Sequence, residues 1–153
     1  SITLRVTAPD ASVLYEGVPT EMRFTASQYG LYFVDYLLAD ASGETATRRF
    51  LVSVLDREPP QFTLSGISSR AEIGEAVTLP VPNVTDNLDV ECGGYIVIRN
   101  VKTYISEVIY TAEAGSWSEY RHTFEAAGDY EIIYVVSDAA GNTAVASADI
   151  RAE

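Results

Sequence analysis

A stretch of seventeen residues recurs in similar form later in this chain. Gly30-Leu-Tyr32-Phe-Val-Asp-Tyr36-Leu-Leu-Ala-Asp40-Ala-Ser-Gly43-Glu-Thr45-Ala46 lies without a gap on Gly128-Asp-Tyr130-Glu-Ile-Ile-Tyr134-Val-Val-Ser-Asp138-Ala-Ala-Gly141-Asn-Thr143-Ala144, with 8 identities in 17 positions. Chance supplies about one, so the pair reads as two copies of one structural unit set 98 residues apart. A duplicated unit must bury a core of its own in each copy. Because a second unit opening near Pro59 implies a first that opens about 40 residues ahead of Ser1, the first copy is expected to be partial. Weaker upstream matches, Ile2–Arg5 with Ile96–Arg99 and Glu21–Thr25 with Glu119–Thr123, extend the correspondence. A smaller, complete β domain of four or five strands is the alternative reading of the first 57 residues.

The secondary structure follows from period-two patterning. Ile2, Leu4, Val6; Met22, Phe24, Ala26; Tyr32, Val34, Tyr36, Leu38; Phe50, Val52, Val54; and Tyr120, His122, Phe124 alternate with polar residues, as half-buried strands do. Turn-forming clusters separate them at Pro9-Asp10, Gly17-Val18-Pro19, Ala41-Ser42-Gly43, Asp86-Asn87 and Gly141-Asn142. The stretch from Val101 to Ala114 could carry a helical stripe, but its β-branched and aromatic content favours a strand. The chain is therefore expected to be all-β. Glu58-Pro59-Pro60 is the expected linker, since paired prolines cannot continue a ladder and stiffen the passage. The domain boundaries are placed at 1–57 and 58–153.

Composition narrows the partners. At 47% apolar the 153 residues can bury a core, and a net charge of −12 repels nucleic-acid phosphates and anionic lipid surfaces. No apolar run is long enough for a membrane-spanning helix. One Cys excludes an internal disulfide, and one His excludes a multi-histidine metal site within the chain.

Gly128-Asp-Tyr130, placed before an inward position at Ile132, looks like the tyrosine corner of immunoglobulin-like sandwiches, and Tyr32 with Val34 repeats it. Together with the Asp138–Ala144 turn and the Pro59-Pro60 junction, the chain resembles the tandem immunoglobulin-like, hyalin-repeat-like modules of bacterial secreted and cell-surface proteins. The resemblance implies an immunoglobulin-like β-sandwich, tandem, with the N-terminal copy partial. It implies a non-catalytic spacer or adhesion module outside the cell, or alternatively a glycan- or protein-binding accessory module beside a secreted enzyme. The implied strands of the second unit are Phe62–Leu64, Ala76–Val81, Tyr95–Arg99, Thr103–Tyr110, Glu119–Phe124, Tyr130–Val136 and Thr143–Arg151. The implied partners are other domains of the same polypeptide, and a cell-surface glycan or protein.

The residues that could carry chemistry are few. His122 falls on a strand face with Tyr120 and Phe124 and reads as packed. Ser116, Ser118 and Asp129 lack the Gly-x-Ser-x-Gly turn that would arm a serine. Cys92, before Gly93-Gly94, is expected in a solvent-tolerant loop without a nearby histidine. No catalytic residue and no organic cofactor is therefore expected. For a metal, the loops at Asp86–Asp89 and Asp138–Asn142 should share the end of the sandwich where the linker enters. Asp56, Glu58, Asp86, Asp89 and Asp138 are then candidate oxygen ligands for calcium. Asp and Asn are also simply what turns demand. Trp117 and Tyr120 are candidate binding platforms, because an apolar ring face can stack on a sugar. A partial first unit would leave strand edges and a core face open around Ile2–Val6 and Met22–Phe24, so a homodimer or the second unit is expected to cover them.

Overall fold

Thirteen strands and no helix make up the described residues of the computed structural model, which are 1–21, 23–89 and 91–153. They fall into two units, Ser1–Asp56 and Arg57–Glu153, a boundary one residue ahead of the expected one.

The first unit contains β1 (Ile2–Thr7), β2 (Val13–Gly17), β3 (Gly30–Ala39) and β4 (Thr45–Val54), joined as one antiparallel sheet in the order β2-β1-β3-β4. The period-two pattern decides what is covered: Leu4, Val6 and Tyr32 share one face and are buried there. The β3–β4 hairpin closes on Asp40, whose Oδ1 accepts from Ser42 N, Ser42 Oγ and Glu44 N at 2.7–3.0 Å. Gly43 supplies the positive φ of 89° that this turn requires. The strand expected through Met22, Phe24 and Ala26 is not formed at Phe24 and Ala26, and Met22 lies outside the described residues. Phe24 instead lays its ring 5.6 Å from that of Tyr32. Alternation is only a pattern, and without an adjacent strand the backbone has no ladder to join.

The second unit contains β5 (Gln61–Thr63), β6 (Arg70–Ala71), β7 (Ala76–Leu79), β8 (Asn83–Thr85), β9 (Gly93–Asn100), β10 (Ser106–Ala112), β11 (Tyr120–Thr123), β12 (Gly128–Ser137) and β13 (Thr143–Ala152). The main sheet runs β10-β9-β12-β13-β6, while β11 pairs β7 and β5 pairs β8. Leu79, Ile96, Ile98, Phe124, Ile132, Tyr134 and Ile150 fill the space between the layers. The even residues Ala144 to Ile150 of β13 face inward as expected, their exposed odd neighbours outward. Val101–Ala114 is a hairpin tip and the strand β10, which begins at Ser106 rather than at Thr103.

Strand pairing carries the repeat further than the sequence match. Tyr32 faces Val52 and Tyr36 faces Arg48 across β3–β4, while Tyr130 faces Ile150 and Tyr134 faces Ala146 across β12–β13, each pair shifted by 98 residues. In both units the tyrosine hydroxyl donates back to the carbonyl four residues upstream: Tyr32 to Gln28 O at 3.1 Å, Tyr130 to Ala126 O at 3.0 Å. Across the sheet, Leu4 meets Tyr36 where Ile96 meets Tyr134. Leu4 therefore occupies the place of Ile96, so the sequence match of Ile2 with Ile96 is two residues out of structural register. A two-residue slip keeps every side chain on its face, which is why a pattern match cannot detect it.

Candidate functional site

The loop end of the second unit brings together Asp86, Asp89 and Asp138. β8 runs into the Asp86–Asp89 turn, and β12 runs into the turn from Asp138 to Asn142. Asp86 Oδ2 accepts from the backbone N–H groups of Leu88 and Asp89, both at 2.9 Å. Asp138, buried at 7% exposure, accepts from Asn142 N at 2.8 Å and from Asn142 Nδ2 at 2.7 Å. Asp89 Oδ2 reaches across to accept from Ala139 N at 3.1 Å and ties the two turns together. These are the self-satisfying loops that Asp and Asn build when their side chains replace missing ladder bonds.

Beneath the turns lies Cys92. It is buried, at 5% exposure, rather than set in a solvent-tolerant loop. Burial, reinforced by the negative charge of Asp86, Asp89 and Asp138, pushes its thiol up to about 11. That is the opposite of what a nucleophile or a thiolate ligand needs. Its carbonyl accepts from Trp117 Nε1 at 3.1 Å. The Trp117 indole stacks on Tyr134, with ring centroids 6.3 Å apart, and lies 5.8 Å from the Tyr110 ring, which in turn packs 5.5 Å from Tyr120. Trp117 and Tyr120 both pack against the core while remaining half-buried.

Of the expected oxygen ligands, Asp86, Asp89 and Asp138 come together around Cys92. Glu58 lines a cleft of about 240 Å³ with Pro59, Gln61, Thr85, Asp86 and Asn87. Asp56 is the last residue of the first unit and half-buried. The donors at the loop end of the second unit are all oxygen, a set that could serve a hard cation. Asp86 Oδ1 is buried without a hydrogen-bond donor, while Asp86 Oδ2 and both Asp138 oxygens accept from their own loops and Asp89 Oδ2 accepts from the neighbouring one.

His122 sits half-buried on β11 with its ring 4.7 Å from Phe124, edge to face, and burial lowers its basicity. It lines a cleft of about 490 Å³ with Glu107, Phe124, Glu125 and Tyr130. Thr123 also lines this cleft, and neither a serine nor a cysteine does so among the described residues. Ser116 and Ser118 lie in the turn that Tyr110 clamps: Ser118 N donates to its hydroxyl at 2.8 Å, and that hydroxyl lies 3.3 Å from the Ser116 carbonyl it donates to. Sequence reasoning missed Tyr134 as an anchor. Its hydroxyl donates to Pro80 O at 3.0 Å, and burial pushes it up to about 12.

No family model matches the sequence, and no curated protein matches it. Among solved structures, the amphioxus IgVJ-C2 molecule is similar over 97% of this chain and 87% of its own, at 15% identity and a TM-score of 0.51. The FN1–FN3 domains of chicken CNTN1 match over 99% of the chain at 11% identity and a TM-score of 0.47. The chain spans 56% of that structure. The SGBP-B protein of a Bacteroides ovatus mixed-linkage glucan utilization locus, solved with a mixed-linkage heptasaccharide, matches at 19% identity, a TM-score of 0.28 and 37% of its own length. The fold is an all-β, immunoglobulin-like sandwich. Such a fold hosts many functions and by itself assigns none.

Proposed function

We propose that the chain is a non-catalytic structural module of an extracellular, cell-surface protein, one that spaces or presents neighbouring domains in a tandem array of immunoglobulin-like units. One observation carries this reading: the same tyrosine corner and the same hairpin register recur 98 residues apart, on either side of Pro59-Pro60. Repetition of a scaffold, with a stiff junction between copies, is how a chain gains length. The side chains best able to do chemistry are employed in holding that scaffold. Cys92 is kept protonated by its surroundings, and Trp117 and Asp138 spend their hydrogen bonds on loops. No helix among the described residues is long and apolar enough to cross a membrane.

A glycan array, with calorimetric titration of any hits, separates this reading from the accessory-module alternative. A spacer gives no saturable binding at millimolar sugar. Saturable binding that Trp117→Ala or Tyr120→Ala removes, in a variant that still melts cooperatively, would replace it with a glycan-binding function. Millimolar calcium is expected to leave the melting temperature where it was. A rise of several degrees that Asp86→Asn abolishes would add a cation to the loop end.

A further inference from the structure

The first unit shows one half of a sandwich. At three places its structure departs from that of the second unit, and all three trace to a single stretch of chain.

The first place is the inward face of the sheet. In the second unit Val136 and Ile150 are 0% and 2% exposed. At the matching positions of the first unit, Leu38 and Val52 are 42% and 41% exposed, and Phe50 beside them is 49% exposed. The registers are the same, so sheet geometry does not account for the difference. What the second unit has in addition is a covering layer. Phe62 of β5, Val77 and Leu79 of β7, and Phe124 beyond β11 belong to or pack against the core that encloses Ile132 and Tyr134.

The second place is the segment Arg23–Thr25. By the repeat it stands where β11 stands, yet it forms no strand. Among the described residues the sole ladder partner of β11 is β7. Without a counterpart of β7, the segment has nothing to pair with.

The third place is the outer edge of β4. In the second unit the end of β13 is met by β6, which runs parallel to it at Arg151 and Ala152. The matching residues of β4 are Ser53 and Val54, and β4 is the edge of its sheet. A ten-residue strand with a free edge and exposed Phe50, Leu51 and Val52 is what folded proteins ordinarily cover or blunt.

Face, segment and edge would all be completed by counterparts of β5 to β8. In the second unit those strands directly precede β9, and β9 holds the place that β1 holds in the first. A second copy of this chain laid face to face would cover Leu38 and Phe50 but would supply neither a strand for Arg23–Thr25 nor a parallel partner for Ser53–Val54. We propose that the open face of the first unit is the docking surface for a β layer carried by the polypeptide immediately N-terminal to β1, comparable in length to Gln61–Cys92. That layer places alternate apolar side chains over Leu38, Phe50 and Val52, an antiparallel strand along Arg23–Thr25, and a short parallel strand against Ser53–Val54. Its recognition chemistry is apolar burial plus backbone pairing.

The test compares the 153-residue protein with the same protein extended by its native upstream residues, each with and without Leu38→Glu. Amide exchange across Tyr32–Leu38 is expected to slow about tenfold or more in the extended protein. Leu38→Glu is expected to be silent in the short protein, where the side chain meets water, and to reverse that protection in the extended one. Val52→Asp, on the neighbouring strand, repeats the comparison should Leu38→Glu prevent folding of the extended protein. Unchanged exchange on extension overturns the proposal, as does a substitution that is silent in both forms. A dimer seen by light scattering in both forms, and broken by Leu38→Glu in both, also overturns it and gives the face to a second copy.

Discussion

Cys92 shows how one residue's surroundings reverse what its sequence context suggests. Followed by two glycines and preceded by an acidic turn, it looks like a loop residue. It is buried because Gly94 lets β9 begin directly against β12 and the Trp117 indole closes over the Cys92 carbonyl. Neither contact is local, so neither was legible. The tyrosine corners were legible, because a Gly-x-Tyr spacing places the ring and its acceptor within one turn of chain. For the thiol, the folded protein holds the proton more tightly than the unfolded chain does. Its contribution to stability is therefore fully present below the ordinary thiol range and is lost as pH rises from there toward about 11. The native protein should resist iodoacetamide at pH 8 and react only on unfolding. Rapid alkylation of the folded protein at that pH would show that the thiol is neither buried nor held protonated. The melting temperature of the wild type should fall more steeply between pH 9 and pH 10.5 than that of Cys92→Ala.

Among the elements, the long strands were legible, as were the short β5, β7 and β11, while β6 and β8 were not. Ten-residue strands such as β3, β4, β12 and β13 carry enough alternation to declare themselves. β6 and β8 span two and three residues and exist because a neighbouring edge offers partners, which is information held elsewhere in the chain. The opposite failure occurs at Phe24 and Ala26, where the pattern is present and the partner is not. Gly94 sits on such a dependence: a Cβ there would lie 2.0 Å from Val135 O and 2.8 Å from the Trp117 ring. Backbone of a central strand cannot step aside, so Gly94→Ala should cost more than about 3 kcal/mol or prevent folding. Gly141 also has positive φ, at 91°, but nothing lies within 4 Å of its added Cβ. Gly141→Ala should cost only about 1 kcal/mol, the strain of a left-handed backbone in an L-residue. Urea melts of the two variants side by side provide the measurement. Equal losses would mean that conformation, not close approach, governs both positions.

At the scale of the whole molecule the two units differ in how much of their apolar surface they hide. Among the described residues, the buried hydrophobic side chains of the first unit are Leu4, Val6, Ala8 and Tyr32. The second has three times as many, including the continuous cluster from Leu79 and Ile96 to Ile132 and Ile150. The repeat made two similar sheets legible from sequence, but whether a sheet is covered depends on a second layer that pattern alone does not reveal. Each buried aliphatic side chain is worth about 1.5–3 kcal/mol of transfer free energy, and the entropic cost per ordered residue is the same in both units. The stability of the 153-residue protein should therefore reside in Arg57–Glu153. That segment produced alone should fold cooperatively as a monomer, since its core cluster contains only its own residues. Ser1–Asp56 produced alone should bind a hydrophobic dye and unfold without a sharp transition, because its sheet presents Leu38, Phe50 and Val52 to water. Calorimetry of the three proteins decides the matter. A cooperative, dye-silent transition for Ser1–Asp56 alone would mean that four strands with one open face suffice, and would make the first unit a small complete domain.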